Sequence, residues 1–582
     1  DAQVDSVAIS FLNSYRNPLH ELQAQQMLRE LLPGVFVTLG TELSRELMEY
    51  ERTATVAANA FVGSRMASYI AAFQQELDAR SFHGRFYLMG SNGGAMSADA
   101  ALANPVALIE SGPVGGCAGA AVYASEMSID RMIAFDMGGT TAKCALIESG
   151  TFEVVNTYYV NGYERGFPIR TPVLDIVEVG AGGGSLAWLD EHGRMRLGPR
   201  SAGSEPGPIA FGRGGVEPTL TDANVVLGRI GSDSFMDGAL RLDIDAASEG
   251  IRLSLAEPLG FVGEDGVDRV AQGALDLACV AMSNAIKAIT IERGRDVRGY
   301  TLFAFGGGGP IFATEIARSL GIGKVVVPPH PGMFSSFGML LAPLRRDVAK
   351  AFMQPMNQDS LIAAEAQFAE LEREVRESMS ADVDVASIVC RREADISYMG
   401  QSHSVKVRLP AALTLESCSE AFEEAYRARY GHLNKDSRLH ISVLRVVCEA
   451  ELLKPDLRTL AAPRSGTEPG YGSDASDRHE DGAGAISPAQ SREVYFAALR
   501  GRVRTPVYRR RDLSCGWHIE GPAIIEEYSS TTILGPGDLL EVGVLGELTI
   551  HCGTLPTGGR AAEGLSAAEA CLGRHGSSEN RA

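Results

Sequence analysis

The stretch Ile133 to Lys143, IAFDMGGTTAK, decides how this chain is read. Ile133, Ala134 and Phe135 describe a buried strand with Asp136 at its end. Gly138 and Gly139 allow a tight turn, and Thr140, Thr141 and Lys143 lead into a second apolar run, CALIE. Glycines let backbone N–H groups come close to a phosphate. A carboxylate at a strand end can hold Mg2+ or a water, and hydroxyls can donate to phosphate oxygens. An ordinary β-hairpin with a glycine turn would use the same residues, because short glycine patterns recur by chance. A second unit of strand, glycines and helix, TLFAFGGGGPIFATEIARSL with Gly306 to Gly309, favours the phosphate reading.

Further glycine loops lie between and before these two. PVLDIVEVGAGGGSLAWLD carries Asp175 and Glu178 ahead of Gly182, Gly183, Gly184 and Ser185. Two carboxylates before a polar loop can hold a metal or act as general acid and base; a solvated strand edge reads equally well. GSNGGAMS places Ser91 and Asn92 in a strand-to-helix turn, a frequent place for ligand contacts or simply a βα turn. In TLTDANVVLGRI, Thr221 or Asp222 can cap a helix, with a substrate contact as the alternative for Asp222.

Alternating strands and helices from Val4 onward predict α/β layers, with a long helical stretch over Glu49 to Ala79 broken near Gly63. Phe152 to Val160 reads as one alternating strand. The expected organisation is 1–125, the remainder of an N-terminal lobe; 126–345, a nucleotide lobe; 346–462, an α+β domain; 463–491, a linker; 492–556, a β-rich segment; and 557–582, a tail. The chain starts without Met and with a strand, as if inside a domain.

The 582 residues carry 53 Lys+Arg against 73 Asp+Glu, a net charge of -20, which disfavours nucleic acid as a partner. Nine scattered cysteines without a C-x-x-C pair read as reduced core residues of a cytoplasmic protein. No apolar run long enough for a membrane span is evident, and no H-E-x-x-H, G-x-S-x-G or Walker A pattern occurs.

Two distant glycine loops on strands resemble the actin, sugar-kinase and heat-shock ATPase superfamily, in which two ribonuclease-H-like lobes enclose ATP. More closely, the chain resembles the large subunits of ATP-dependent hydantoinases, 5-oxoprolinases and ketone carboxylases, the hydantoinase A type. YERTATVAANAFV, SNGG, SGPVGGCAGA, DMGGTTAK, VGAGGGSLAW, GPRSAGSEPGP, TDANVVLGR, ERGRD, FGGGGP, PPHPGMFSSFGM, YMGQS and GPAIIEEYSSTT carry the likeness, in family order.

The resemblance implies an α/β fold of such lobes followed by a C-terminal α+β domain, with ATP and Mg2+ as cofactors and no membrane partner. It implies a hetero-oligomer with a hydantoinase B-type second subunit, and a small cyclic amide or ketone as substrate. It assigns Mg2+ or water to Asp136, phosphates to Gly138, Gly139, Thr140 and Thr141, and adenosine to Gly306, Gly307, Gly308 and Gly309. Lys143 would neutralise phosphate or else face outward; as a Lys it leans toward hydantoinases over 5-oxoprolinases. Asp175 and Glu178 fall to catalysis, and Ser91, Asn92, Gly182 to Ser185 and Asp222 to the substrate side. Two departures stand out: the first lobe's D-x-G-G-T loop is absent, which leaves ATP turnover by this chain open, and Phe312 replaces the family's histidine.

Overall fold

The computed structural model describes residues 4–553 apart from 161, 163, 164, 234, 264, 435, 436 and 459–485. The expected linker, for 463–485, and the expected tail lie outside the described residues. The chain forms two compact units that alternate along the sequence: residues 1–130, 147–175 and 335–455, and residues 131–146, 176–334 and 456–582.

The second unit is built on one sheet with strand order Val177–Val179, Ala142–Glu148, Arg131–Met137, Thr301–Phe305, Lys324–Val327. The first three form an antiparallel meander around the Gly138–Thr141 turn, and the last two run parallel to the Asp136 strand. This is the strand order of the ribonuclease-H-like lobe that the resemblance implies. Leu548–His551 continues the sheet antiparallel to Lys324–Val327, followed by Leu539–Val542 and His518–Glu520. All five residues of Thr301–Phe305 are buried, as a strand covered on both faces requires. A four-stranded sheet of Gln490–Phe496, Gly501–Arg509, Ala523–Glu527 and Ser530–Leu534 packs into the same core.

One expectation is corrected here: the helix Gly266–Ile289 is long and apolar enough to cross a membrane by length and composition. Its apolar stripe, including Val270, Ala274, Leu275, Ala278, Met282 and Ile286, is buried in this unit's core. Amphipathic packing therefore accounts for the hydrophobicity.

The first unit carries a six-stranded sheet, ordered Val405–Arg408, Val389–Tyr398, Leu439–Ala450, Leu344–Pro355, Ala95–Ser97, Tyr87–Met89. It thus joins strands from the 1–125 and 346–462 stretches, and the helices Gln358–Met379 and Leu415–Tyr430 supply the core over it. Near the start, Ser6–Ile9 pairs in parallel with Phe36–Leu39 beside the helix Glu49–Ala79.

Three local readings change in this unit. The Glu49–Ala79 helix runs unbroken through Gly63, whose missing side chain makes room for a ring: a Cβ there would stand 2.1 Å from Phe36 Cε1. The run 152–160 splits into short strands, Val154–Val155 and Tyr158–Val160, each pairing with a different partner. Cys390 and Cys448 face each other across neighbouring strands and are joined as a disulfide, so not every cysteine is reduced.

Gly63→Ala sets helix preference, worth about 1 kcal/mol in favour of Ala, against overpacking of about 1–3 kcal/mol. We expect a net loss of about 1 kcal/mol in urea unfolding, largely recovered when Phe36→Leu is combined with it.

Candidate functional site

The parallel pairing of Arg131–Met137 with Thr301–Phe305 sets Asp136 opposite Phe305, so both glycine loops leave the same end of the sheet. The carboxyl ends of parallel strands are where α/β sheets bind ligands. Gly306 has φ +78°, and a Cβ on it would lie 2.3 Å from Asp136 Oδ1 and 2.4 Å from the Met137 carbonyl oxygen. Only glycine permits that approach. The Gly308 N–H donates to the Met137 carbonyl at 2.9 Å, and the Gly306 N–H to that of Pro331 at 2.8 Å. The helix Gly309–Leu320 begins at this point, bringing the positive end of its dipole to the loop.

The Gly138–Thr141 turn closes with a 3.1 Å bond from the Gly138 N–H to the Thr141 carbonyl. Gly182 to Gly184 clamp it from the side. The Gly183 and Gly184 N–H groups donate to the Gly138 and Gly139 carbonyls at 3.1 and 2.6 Å, and a Cβ on Gly182 would meet the Thr140 carbonyl carbon at 2.5 Å. Thr221 holds the clamp in turn, its N–H and hydroxyl donating to the Gly183 carbonyl at 2.8 and 2.9 Å. Gly138, Gly139 and Thr140 are exposed. The Gly139 and Thr140 N–H groups have no acceptor among the described residues, and the space beside Gly139 is open beyond 4 Å. Free N–H donors around an open space, next to a carboxylate and a helix N-terminus, fit a phosphate chain. No group of three His, Cys, Asp or Glu that could hold a metal occurs among the described residues. A Mg2+ here would take Asp136 as its protein ligand together with phosphate oxygens and water, the usual arrangement for that ion.

Other expected site residues fall elsewhere. Lys143 sits opposite Glu178 in strand register and pairs with it at 3.2 Å, so each answers the other's charge. Ser185 is buried and accepts from the Gly182 N–H at 2.8 Å, closing its own turn. Asp222 is buried at the N3 position of a capping box with Thr219, not Thr221, as N-cap. It also accepts from the Ile209 and Ala210 N–H groups at 3.2 and 2.7 Å, which commits its carboxylate to structure rather than substrate.

Asp175, Ser91 and Asn92 belong to the other unit. There Ser91 is buried, its hydroxyl donating to the Ala107 carbonyl at 2.7 Å, while Asn92 donates to Asp347 at 3.2 Å. The Asp175 N–H donates to the Glu153 carbonyl at 2.9 Å.

The sequence reading assigned no role to the hairpin within GPAIIEEYSSTT. Its tip lies on the Gly306 loop: the Ser530 hydroxyl donates to the Gly307 carbonyl at 3.2 Å, and Ser529 crowds Gly332. Opposite Ser530 at the same tip, the Glu527 carboxyl is pushed up to about 7 by burial, which outweighs Arg510 Nε 3.3 Å away and the backbone bond from His330. Its only signal was membership of a matching motif.

Residues 52–348 match the Hydantoinase/oxoprolinase family, and residues 356–543 match the Hydantoinase/oxoprolinase C-terminal domain. The chain belongs to the hydantoinase/oxoprolinase family. Among its relatives is an uncharacterised protein of Methanocaldococcus jannaschii, 34% identical over 91% of this chain and 74% of its own length. The caprolactamase α subunit of Pseudomonas jessenii is 32% identical over 92% of this chain and 75% of its own. The acetophenone carboxylase γ subunit of Aromatoleum aromaticum is 29% identical over 94% and 74%. The crystal structure of the ATP-dependent P. jessenii caprolactamase superposes with TM-score 0.78 at 30% identity, covering 95% of this chain and 77% of that one.

Two outcomes are expected. Gly306→Ala forces its methyl onto Asp136 and Met137 and weakens nucleotide binding at least about tenfold, read by fluorescent ATP-analogue titration. Glu527 holds its proton more tightly folded than unfolded, so its contribution is fully present below the ordinary glutamate value of 4.5 and is lost as pH rises through about 7. Glu527→Gln therefore flattens the fall in Tm between about pH 5 and 8.

Proposed function

We propose that this protein carries out ATP-dependent ring-opening hydrolysis of a cyclic amide or imide, such as a lactam, 5-oxoproline or a hydantoin. The observation that carries the reading is the contact between the Asp136 strand end and the Gly306 loop, which turns two remote glycine turns into one cradle. The caprolactamase relative supports the substrate class.

A ring amide resists water because resonance stabilises its carbonyl and its nitrogen leaves badly. ATP supplies a phosphoryl group to the carbonyl oxygen, and water adds at the activated carbon. The ring C–N bond then breaks with the amine as leaving group to give an acyl phosphate, and a second water releases phosphate and the free carboxylate. The protein's task in such chemistry is positioning and charge neutralisation. Gly139 and Thr140 offer backbone N–H groups to phosphate oxygens, and Thr141 a hydroxyl. Asp136 holds Mg2+ or orients water, and Gly306 to Gly309 lie against the adenosine. Gly182 to Gly184 act through the turn they brace, and Lys143 acts only as far as Glu178 releases it.

A ketone carboxylase is the second reading, supported by the acetophenone carboxylase relative, because the same activation of an enol or of bicarbonate serves carboxylation. Two relatives are named as subunits, which supports a hydantoinase B-type partner and a hetero-oligomer.

The test is phosphate release from MgATP by the protein co-purified with its second subunit. Release is expected with caprolactam, 5-oxoproline or hydantoin and to fall about a hundredfold or more in Asp136→Asn. Release dependent on acetophenone and bicarbonate alone would favour the carboxylase, and release with neither class would overturn both readings.

A further inference from the structure

The first unit encloses a cavity of about 810 Å³ that has no part in the glycine cradle. That volume suits a small organic ligand. Most of the charges in its wall are already matched. Arg45 meets Glu374 through two bonds of 3.0 and 3.1 Å, and Arg345 meets Asp347 through two of 3.0 and 3.1 Å. Glu42 accepts from Gln25 at 3.2 Å, and Arg29 lies in the exposed last turn of its helix.

What remains is one cation and one anion. Arg346 has no ion pair among the described residues; burial pushes its guanidinium down, and the opposing pull of Glu374, itself bonded to Arg45, does not make up for it, so a further anion there would be welcome. Asp382, half-buried in the same wall, likewise has no ion pair among the described residues, the cation that acts on it being the exposed Arg85 outside the wall. Two neutral groups in the wall are also unmatched. Thr171 is only 2% exposed and its hydroxyl has no hydrogen-bond partner; the Asn104 side-chain Oδ1 is buried and has none either. A buried polar atom left unpaired is costly, and a ligand offering the missing partner removes that cost.

We propose that this cavity is a second ligand site, taking a small amino carboxylate. The carboxylate meets Arg346 and accepts from the Thr171 hydroxyl, and the ammonium group meets Asp382 and donates to the Asn104 side-chain oxygen. Opening a lactam ring yields such a molecule, so the naming of the ligand class rests on the proposed function, while the site itself rests on the cavity wall. Lined by none of the cradle's residues, it would let the product of ring opening report its own concentration to the protein.

Equilibrium dialysis of the full chain against labelled 6-aminohexanoate tests this, with hexanoate and hexylamine as competitors that each lack one charged end. Saturable binding is expected, with either competitor at least about tenfold weaker than the zwitterion. Arg346→Met, at a residue without an ion pair, should lower affinity about tenfold or more while the melting temperature holds. Thr171→Val, which removes a hydroxyl without a partner, should weaken binding without lowering that temperature. Absence of saturable binding up to millimolar 6-aminohexanoate, or binding unchanged by Arg346→Met, overturns the proposal. Amide-dependent ATP turnover persisting in that case would leave the cradle reading standing; its loss with 6-aminohexanoate binding intact would do the reverse.

Discussion

The structure depends on one backbone pairing, that of Arg131–Met137 with Thr301–Phe305, carried over five register positions from Thr301↔Met132 to Phe305↔Asp136. Everything at the candidate site follows from where these strands end. The absence of a side chain at Gly306 lets the second loop fold back against the Asp136 carboxylate, and the Gly308 N–H then ties it to Met137. Two turns far apart in sequence become neighbours because the sheet makes them so.

That geometry is held by its surroundings. Arg229, 1% exposed in its side chain, grips Glu315 through bonds of 2.6 and 3.1 Å, and Arg318 meets the buried Asp538 at 2.5 Å. Both Glu315 and Arg318 lie on the helix that opens at Gly309, so the helix cannot shift without stranding a buried charge. Breaking such a pair from one side costs about 3–5 kcal/mol. On the other loop, Gly182 to Gly184 and Thr221 hold the Gly138 turn through backbone bonds, leaving the Gly139 and Thr140 N–H groups turned to solvent. The cradle is stiff where it is anchored and open where a phosphate would lie.

Both glycine loops were legible because each is a local pattern of strand, glycines and strand or helix. The fold class of the lobe followed from the family likeness, but the order of its strands was seen only in the sheet itself. What depended on pairing between distant segments was not legible. Lys143 and Glu178 oppose each other only because their strands align in one register, and a shift of one residue would turn each to the other face. Gly182 to Ser185 read as a substrate loop, since nothing local says that their partner is the Gly138 turn. Asp222 kept both readings until its carboxylate was seen to bracket Ile209 and Ala210. Gly63 looked like a helix break because propensity counts only the missing methyl and not the Phe36 ring that fills its place. Cys390 and Cys448 needed the pairing of two strands of the first unit's six-stranded sheet to meet.

The central claim is that residues 137–145 and 303–312 grip one nucleotide together. Hydrogen–deuterium exchange with and without a non-hydrolysable ATP analogue and Mg2+ tests it most directly. The account predicts that both segments gain protection at the same analogue concentration. Protection of one segment alone, or of neither while the analogue is bound elsewhere in the chain, would contradict it.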